Sequence, residues 1–229
     1  MKNPLICGLD EAGRGPVLGP LVLCGVCFLE EDLGYLQQIG VKDSKKVSAQ
    51  KRETLARQIK ANCSSYKVLQ LTPQDIDNRE KTRTSLNTLE VIKFAEILNE
   101  LQPAIIYIDA ADTDEKRFGR ILKKQLNFSP HHIISKHKAD TLYPVVGAAS
   151  IIAKTYRDKI IDELKLFYQD YGYIDIGSGY PSDEKTINFL RNWIQTNKKP
   201  PSCARKTWAT TKTILNEEVS QEKITKYFK

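Results

Sequence analysis

Long hydrophobic runs are missing from this 229-residue sequence. No apolar stretch approaches the roughly 18 residues of a membrane-spanning helix, and no charged leader followed by an apolar segment opens the chain. Internal repeats and low-complexity linkers are also missing, whereas a hydrophobic content of 41% suffices for a sizeable core. These features argue against a membrane, fibrous or disordered protein, and we expect a soluble cytoplasmic monomer that does not bind membranes.

Cysteine and histidine are few, and neither forms an organised ligand set: the sequence has five cysteines and three histidines. Cys24 and Cys27 spell a C-x-x-C pattern, but they lie inside an apolar run that predicts a strand. Because an odd offset in a strand sends side chains to opposite faces, the pair is a poor candidate for a disulfide or a shared zinc ion. We therefore expect reduced cysteines that serve as packing residues.

Positive charge, by contrast, is in excess and unevenly distributed. The formal net charge is +7 and the pI is about 9.0. Residues 42–60 carry seven Lys or Arg against two acids, and the last 34 residues carry eight against three. Clumped positive charge favours a polyanionic partner, most often nucleic acid, with a general role in solubility as the alternative.

Short apolar runs flanked by Gly and Pro alternate with amphipathic helical patterns, which predicts an α/β fold. The polar segment 33–48 is predicted to be a loop, and the polar residues from 216 to 229 a tail. The predicted strands span about 5–10, 21–29, 65–71, 104–108 and 133–134, and the predicted helices about 48–61, 85–101, 112–124 and 144–170, with a short helix beginning after residue 72.

Acidic residues stand at the ends of three predicted strands. Asp10 and Glu11 follow the first strand, Asp109 ends the fourth, and Asp140 stands just after the fifth. Since equivalent ends of parallel strands converge, these carboxylates are predicted to meet, and they would repel one another unless divalent cations neutralise them. Oxygen-only ligands indicate Mg²⁺ or Mn²⁺. Two such ions about 3.5 to 4 Å apart are the usual arrangement for in-line displacement at phosphorus, so the set predicts phosphodiester hydrolysis.

A glycine-rich turn follows the first acidic pair. Asp10 and Glu11 can share one site only if the strand stops there and the chain turns, as Gly13 and Gly15 on either side of Arg14 would permit. Glycine amides can approach a substrate closely, and Arg14 offers a cation for an anion. The alternative is a strand end with solvated acids and a basic turn.

Three polar residues near the strand ends are left out of the predicted site. Asp112 and Asp114 are rivals to Asp109 as ligands, but they lie beyond the strand end in a charged segment, and we interpret them as surface acids. His137 lies between two lysines and is interpreted as a phosphate contact or a surface residue.

Six motifs together carry a family resemblance. They are GLDEAGRGP at 8–16, DSKK at 43–46, YIDA at 107–110, KAD at 138–140, AASIIAK at 148–154 and GSGYPSD at 177–183. In order and spacing they resemble the type 2 ribonucleases H. The flank at 136–138 and the basic segment around Arg205, Trp208 and Thr210 look closer to the archaeal and eukaryotic branch than to bacterial members. The resemblance covers nearly the whole chain. It implies a ribonuclease H-like fold, with a central mixed five-stranded sheet flanked by helices in a domain over 1–215, including a helical carboxyl-terminal extension at about 184–215.

The resemblance also implies an activity and residue roles. The implied activity is two-metal hydrolysis of the RNA strand of RNA/DNA hybrids and cutting 5′ of ribonucleotides embedded in duplex DNA. Both reactions leave 3′-hydroxyl and 5′-phosphate ends. The implied cellular roles are replication and ribonucleotide excision repair. By this resemblance, the catalytic metal ligands are Asp10, Glu11, Asp109 and Asp140. The readers of the ribose 2′-hydroxyl are Gly13, Arg14 and Gly15, and the phosphate contacts are Lys45 and Lys46 with Arg14. Tyr180 is matched to a ring that stacks on the next sugar. The alternative for Tyr180 is a loop aromatic that shields the core, and the alternative for each lysine is a solvated charge.

The carboxyl-terminal residues carry a second resemblance. Gln221, Ile224, Tyr227 and Phe228 fit the pattern Q-x-x-aliphatic-x-x-aromatic-aromatic. This looks like the peptide by which replication and repair enzymes bind the sliding clamp, proliferating cell nuclear antigen. One helical turn from Ile224 would place the two aromatic rings beside it as an apolar plug. Folding of the rings back onto the domain is the alternative.

Two other classes of protein share part of this pattern. A DNA-only metal nuclease would have the carboxylates, but it would not need the 13–15 turn to inspect a sugar hydroxyl. A non-catalytic clamp-associated binding module would have the charge and the tail, but we would expect it to have lost at least one of the four acids.

Overall fold

The computed structural model, which describes residues 3–41 and 48–227 and the side chains up to residue 218, contains a mixed five-stranded sheet. The strands are β1 (Leu5–Ala12), β2 (Leu21–Leu29), β3 (Ser65–Leu71), β4 (Ile105–Asp109) and β5 (His132–Lys136), in the order β3-β2-β1-β4-β5. β1 pairs antiparallel with β2, whereas β1 with β4 and β4 with β5 are parallel pairs. The predicted α/β class and mixed five-stranded sheet are therefore confirmed.

Several of the flanking helices begin where the sequence supplies a capping side chain. Their bounds are α1 (Leu33–Gln38), α2 (Ala49–Asn62), α3 (Pro73–Asn78), α4 (Leu86–Leu101), α5 (Glu115–Lys124), α6 (Ala139–Leu142), α7 (Pro144–Gln169), α8 (Glu184–Asn197) and α9 (Ala209–Tyr227). The hydroxyls of Ser48 and Ser85 each accept a backbone N–H three residues later, at the starts of α2 and α4. Thr72 and Asp75 form a capping box at α3. These caps confirm the predicted helix starts.

The chain folds into two compact units. The first takes its described residues from Met1–Ala12, Val22–Gln70 and Thr84–Tyr156, and the second from Gly13–Leu21, Leu71–Arg83 and Arg157–Lys229. The first unit contains nearly all of the sheet, and the second contains α3, α8 and α9. The domain boundary that we expect at residue 215 stays a prediction.

Two glycines let helices pack closely on the sheet of the first unit. A Cβ on Gly25 would lie 2.6 Å from Ile97 Cγ2 of α4, and a Cβ on Gly8 would lie 2.6 Å from the backbone nitrogen of Val146 in α7. Neither position could hold a side chain without a shift of its neighbours. Gly25 pairs with Leu9, the neighbour of Gly8, so the two glycines lie on opposite faces. Helix α4 thus covers one face, and the start of α7 covers the other.

Aromatic and aliphatic side chains form the core of the second unit. The ring of Tyr168, 1% exposed, lies edge-on to Phe189 with 4.9 Å between centroids. Asp77 accepts hydrogen bonds from the backbone N–H groups of Lys206 at 2.9 Å and Thr207 at 3.0 Å, which fixes the segment before α9.

Two segments are more regular than their polar composition predicts. Residues 33–38 form α1 instead of a loop, and Leu36 of this helix is fully buried. The residues from 216 to 227 continue α9 instead of forming a separate tail. Arg191 binds Glu217 at 2.9 Å and Glu218 at 3.0 Å, so charged side chains attach this helix to α8 where apolar periodicity gives no signal.

The cysteines behave as predicted. All five are free, and Cys7, Cys24, Cys27 and Cys203 are buried, as packing residues should be. Among the described helices, none combines the length and the hydropathy that crossing a bilayer requires.

Candidate active site

Three carboxylates meet in the first unit. Asp10 of β1, Asp109 of β4 and Asp140 of α6 each place a carboxylate oxygen so that these atoms lie within 4.8 Å of one another. Asp10 is only 6% exposed, and the other two are half-buried. The structure therefore brings together three of the four acids that we predict as metal ligands.

Strand register explains how the first two acids meet. β1 and β4 run parallel with Leu9 opposite Ile108, so Asp10 and Asp109 follow at the same level one residue later. Asp109 also lies opposite Lys136 of β5, and the Ala110 N–H donates to the Lys136 carbonyl at 2.9 Å. The end of β4 is thus held on both sides by its neighbours.

Asp140 reaches the cluster through α6, a short helix that the sequence does not predict. Lys138 adopts a left-handed φ of 56° and turns the chain from β5 into α6. Burial raises the pKa of Asp109 and the Asp140 carboxylate raises it further, whereas backbone N–H groups of residues 138–140 donate to Asp109 and offset part of the rise. The turn at Lys138 therefore positions Asp140 in the cluster and donates hydrogen bonds to Asp109.

Within the carboxylate cluster, Asp10 has a less favourable environment for a charge than Asp109. Burial raises the pKa of Asp10 well above the usual range, and the carboxylates of Glu11 and Asp109 raise it further. The nearby Ser150 hydroxyl and the Glu11 N–H, which donates to Asp10 Oδ1 at 2.8 Å, offset only part of this rise. A hard divalent cation would neutralise this repulsion, so the carboxylate cluster fits such an ion, and its oxygen-only donors suit Mg²⁺ or Mn²⁺.

Glu11 is not one of the three clustered acids. β1 continues through Glu11 to Ala12, so the strand end that we predict at Asp10 is wrong by two residues. Successive strand residues face opposite sides, which separates Glu11 from the face that carries Asp10. The Glu11 carboxylate still lies near enough to raise the pKa of Asp10. Its role as a metal ligand stays a prediction.

The prediction that Asp112 is a surface acid is wrong. Asp112 is 4% exposed, and Arg117 Nη2 donates to it at 2.5 Å. Hydrogen bonds from Arg117 and from the Asp114 N–H lower its pKa to about 2. Asp114 is exposed, as predicted, and caps α5 by accepting the Arg117 N–H at 2.9 Å. Both acids organise the start of α5, and neither belongs to the carboxylate cluster.

In the second unit, the glycine turn after β1 is held by a buried arginine. Arg205, fully buried, donates to the carbonyl oxygens of Gly13 at 2.5 Å, Arg14 at 2.9 Å and Gly19 at 3.1 Å. Three bonds from one planar guanidinium fix the turn from both ends. The predicted substrate-contact residues therefore have a defined backbone geometry.

Trp208 extends this support to the last residue of the turn. Its ring lies 4.9 Å from the Arg205 guanidinium carbon, and its Nε1 donates to the Gly15 carbonyl at 3.3 Å. Gly13 has a φ of 91°, which only glycine adopts readily.

Tyr180 lies beside the same turn. A Cβ on Gly15 would lie 3.9 Å from Tyr180 Cε1, and the tyrosine is 41% exposed rather than covering the core. The Arg157 guanidinium carbon lies 5.1 Å from the Tyr180 ring centroid, and Arg157 Nη2 donates to the Ser178 carbonyl at 3.1 Å. A Cβ on Gly13 would meet Arg157 Cδ at 2.6 Å. One buried arginine thus contacts the turn and the loop of Tyr180.

Sequence reasoning missed both supporting arginines. Arg157 had a signal: it falls at four-residue spacing among Ala149, Ala153 and Ile161, which are all buried, so a charge interrupts the apolar stripe of α7. Arg205 contributed to the branch resemblance, but nothing signalled its supporting role, because the residue lies outside the helices and strands and its partners are almost 200 residues away in the sequence.

Several predicted contact residues lie outside the described residues. These are Lys45, Lys46 and Phe228. The backbones of Gln221, Ile224 and Tyr227 lie in α9, but their side chains are outside the described part of the chain.

A β3-β2-β1-β4-β5 mixed sheet with carboxylates clustered at the ends of its central strands defines a metal-dependent hydrolase with the ribonuclease H-like fold. A family model described as Ribonuclease HII matches residues 7–211. The chain belongs to the ribonuclease HII family, and it is an enzyme with type 2 ribonuclease H activity.

Relatives and solved structures agree with this assignment. Ribonuclease HII of Methanocella arvoryzae is 48% identical over 214 residues, which cover 93% of each chain. The crystal structure of ribonuclease H2 from Pyrococcus horikoshii OT3 has a TM-score of 0.86 and 41% identity, over 93% of this chain and 98% of that one. The structure of the PCNA:RNase HII complex from Archaeoglobus fulgidus has a TM-score of 0.80 and 40% identity, over 89% and 95%.

Proposed function

We propose that the protein hydrolyses the RNA strand of RNA/DNA hybrids and cuts on the 5′ side of ribonucleotides embedded in duplex DNA. The observation that carries this proposal is the proximity of Gly15 to Tyr180: a Cβ added to Gly15 would lie 3.9 Å from Cε1 of the tyrosine ring. A glycine lets the backbone approach a sugar closely, and the exposed ring offers a surface for the sugar beside it. The 2′-hydroxyl is the group by which proteins distinguish RNA from DNA.

The carboxylate cluster supports metal-dependent hydrolysis. Asp10, Asp109 and Asp140 would hold a divalent cation, with Glu11 as the fourth acid for a second ion, Mg²⁺ or Mn²⁺. Bound there, a pair of ions would supply activation of the attacking water and stabilisation of the leaving oxygen, and the products would have 3′-hydroxyl and 5′-phosphate ends. Strand register positions Asp10 and Asp109, and the turn at Lys138 positions Asp140, which supports a single place for the scissile phosphate beside these three acids.

The basic residues would bind the rest of the nucleic acid. Arg14, Lys45 and Lys46 would contact phosphates, which position a duplex without reading its sequence. Because such substrates arise during replication and repair, we expect the enzyme to act in the cytoplasm of a cell without a nucleus.

Cleavage mapping tests the proposed substrate. Three labelled duplexes of one sequence would be compared with and without Mg²⁺ or Mn²⁺: an RNA/DNA hybrid, a DNA duplex with one ribonucleotide, and an all-DNA duplex. We expect metal-dependent cuts in the first two, 5′ of the ribonucleotide in the second, and none in the third. Equal cutting of the all-DNA duplex would instead indicate a DNA-only nuclease.

The carboxyl-terminal pattern supports sliding-clamp binding. The relative from Archaeoglobus fulgidus was solved in a complex with PCNA, and the backbone of residues 221–227 is helical here, as the apolar plug from Ile224 requires. Ile224→Ala with Phe228→Ala should abolish binding to an archaeal clamp in titration calorimetry while leaving turnover on a short duplex unchanged. The matched control, Lys223→Ala with Lys226→Ala, should retain binding. Equal affinity of both double variants would rule out the apolar plug.

A further inference from the structure

Two buried cysteines face each other across the first two strands of the sheet. Cys7 of β1 lies opposite Cys27 of β2 in the antiparallel register, and both side chains are fully buried. Both thiols are free in the structure. Neither belongs to the carboxylate cluster, so the proposed function leaves this pair of reactive groups unused.

The pair occupies a non-hydrogen-bonded position of the β1–β2 ladder. Opposite residues of antiparallel strands alternate between hydrogen-bonded and non-hydrogen-bonded pairs. The Cys27 carbonyl accepts the Ser64 N–H at 2.8 Å on the β3 side, so it points away from Cys7. The Glu30 N–H donates to the Pro4 carbonyl at 3.1 Å, and this hydrogen-bonded pair lies three positions from Cys7 and Cys27. Alternation therefore gives the same assignment from the other end of the strands.

A non-hydrogen-bonded position has the spacing that a disulfide requires. Its α-carbons are about 4.5 Å apart, closer than at a hydrogen-bonded position. A disulfide joins α-carbons that are about 4.4 to 6.8 Å apart. The two thiols also interact directly, because a hydrogen bond from the Cys7 thiol lowers the pKa of Cys27. Joining the two sulfurs therefore requires no change of strand register.

We propose that Cys7 and Cys27 are a modification site and form a cross-strand disulfide when the chain folds in the presence of a small-molecule disulfide such as oxidised glutathione. Each thiol loses its proton, the two sulfurs join, and the two electrons reduce the S–S bond of the oxidant to two thiols. The exchange takes place during folding, because the closed sheet leaves neither cysteine accessible. The same burial then shields the bond from reductants.

The disulfide lies on the face of the sheet opposite the carboxylate cluster. Cys27 stands two residues beyond Gly25 and shares the face that α4 covers, whereas Asp10 stands two residues beyond Gly8 on the face that α7 covers. The bond therefore adds a covalent link between β1 and β2 without involving an acid of the cluster. The proposal goes beyond the proposed nuclease function and is independent of it.

The covalent link should stabilise the fold. The loop that it closes, from residue 7 to residue 27, contains about 20 residues, and the restriction of the unfolded chain grows with the length of such a loop. For a chain of this size we expect the oxidised protein to melt about 6 to 12 °C above the reduced protein.

Peptide mapping of the full chain identifies the bond directly. The protein would be refolded from denaturant in oxidised or in reduced glutathione, blocked with iodoacetamide and digested with trypsin without reduction. Cleavage after Lys and Arg places Cys7 in peptide 3–14, Cys24 and Cys27 in peptide 15–42, and Cys63 in peptide 61–67. We expect peptide 3–14 joined to peptide 15–42 in the oxidised sample only.

Two alanine variants of β2 form a matched pair. Cys27→Ala removes the proposed partner, whereas Cys24→Ala removes an equally buried thiol on the opposite face of the same strand. After refolding in oxidised glutathione, Cys24→Ala should still give the joined peptides and the raised Tm, and Cys27→Ala should give neither. Circular dichroism melting of the reduced samples establishes that both variants fold.

Cys63 is the rival partner of Cys27. Burial raises the pKa of Cys63 and the Cys27 thiol raises it further, so the two thiols lie near each other. Peptide 15–42 joined to peptide 61–67, or free thiols at both Cys7 and Cys27 after refolding in oxidised glutathione, would overturn the proposal. The maps of the wild type and of Cys24→Ala decide this even if Cys27→Ala does not fold.

Discussion

In the first unit, three acidic side chains of like charge lie within 4.8 Å of one another, whereas in the second unit one buried arginine donates to three backbone carbonyl oxygens. The carboxylate cluster depends on something from outside the chain, since burial and mutual repulsion both raise the pKa of Asp10. The Arg205 site, in contrast, is satisfied internally. The comparison teaches that the carboxylate cluster, the proposed site of the reaction, holds charge in an unfavourable environment, whereas the glycine turn, proposed to read the sugar, is fixed before any ligand binds.

The largest expected effect comes from removing one charge of the carboxylate cluster. Asp109→Asn keeps the shape of the side chain but weakens the binding of a divalent cation, and the charge stabilisation that bound metal supplies is worth several kcal/mol. We expect metal-dependent cleavage to fall about a thousandfold or more, at about 1.4 kcal/mol for each factor of ten, with the fold intact. Single-turnover cleavage of a duplex with one ribonucleotide measures this loss.

Asp112→Asn is the matched control for that variant. Asp112 is buried, lies only three residues from the half-buried Asp109, and has its charge paired with Arg117. We expect lower thermal stability and near-normal cleavage. Full activity in Asp109→Asn, or equal losses in both variants, would remove Asp109 from the catalytic site.

The second-largest expected effect comes from replacing Arg205, which holds the glycine turn. Arg205→Met keeps most of the apolar stem but leaves the carbonyl oxygens of Gly13, Arg14 and Gly19 without their donor. At about 1 kcal/mol or more for each unsatisfied carbonyl, we expect the free energy of unfolding to fall by about 3 kcal/mol in urea titration. Arg205→Lys should lose less, because an ammonium can still donate to one or two of them. A loss below about 1 kcal/mol in Arg205→Met would contradict the bracing role.

The two regions also differ in how far sequence alone could predict them. The meeting of Asp10 with Asp109 follows from two apolar runs that form parallel neighbouring strands, because equivalent strand ends then lie at the same level. The position of Asp140 after the fifth run was predictable for the same reason, although the turn at Lys138 was not. Glu11 is not among the clustered acids because β1 continues for two residues beyond Asp10. The glycine-rich sequence after Asp10 does not predict this continuation.

The bracing of the glycine turn could not be predicted in the same way. Periodicity reports which face of a helix is buried, and that signal was available for Arg157 in α7. Arg205 lies in irregular backbone, and its hydrogen bonds span 186 to 192 residues of sequence. Such contacts are fixed by tertiary packing, so local pattern carries no information about them.

The smallest expected effect is on the metal-free stability of the carboxylate cluster as pH changes. The pKa of Asp10 is higher in the folded than in the unfolded chain, so the folded state binds the proton more tightly. Stability then falls as pH rises, beginning near the usual aspartate pKa and continuing through the raised pKa of Asp10. Asp112 acts in the opposite sense, because its pKa is lowered to about 2, so whole-protein curves mix the two.

Asp10→Asn isolates the contribution of Asp10. In EDTA near pH 7, this variant should be more stable than the wild type by on the order of 1 kcal/mol, or a few degrees in Tm, and the difference should vanish near pH 4. Added Mn²⁺ should raise the Tm of the wild type far more than that of the variant, since an ion bound only by the folded state stabilises it. If Asp10→Asn were instead less stable than the wild type in EDTA at pH 7, then the carboxylate cluster would be held by contacts within the chain, and its contrast with the Arg205 site would disappear.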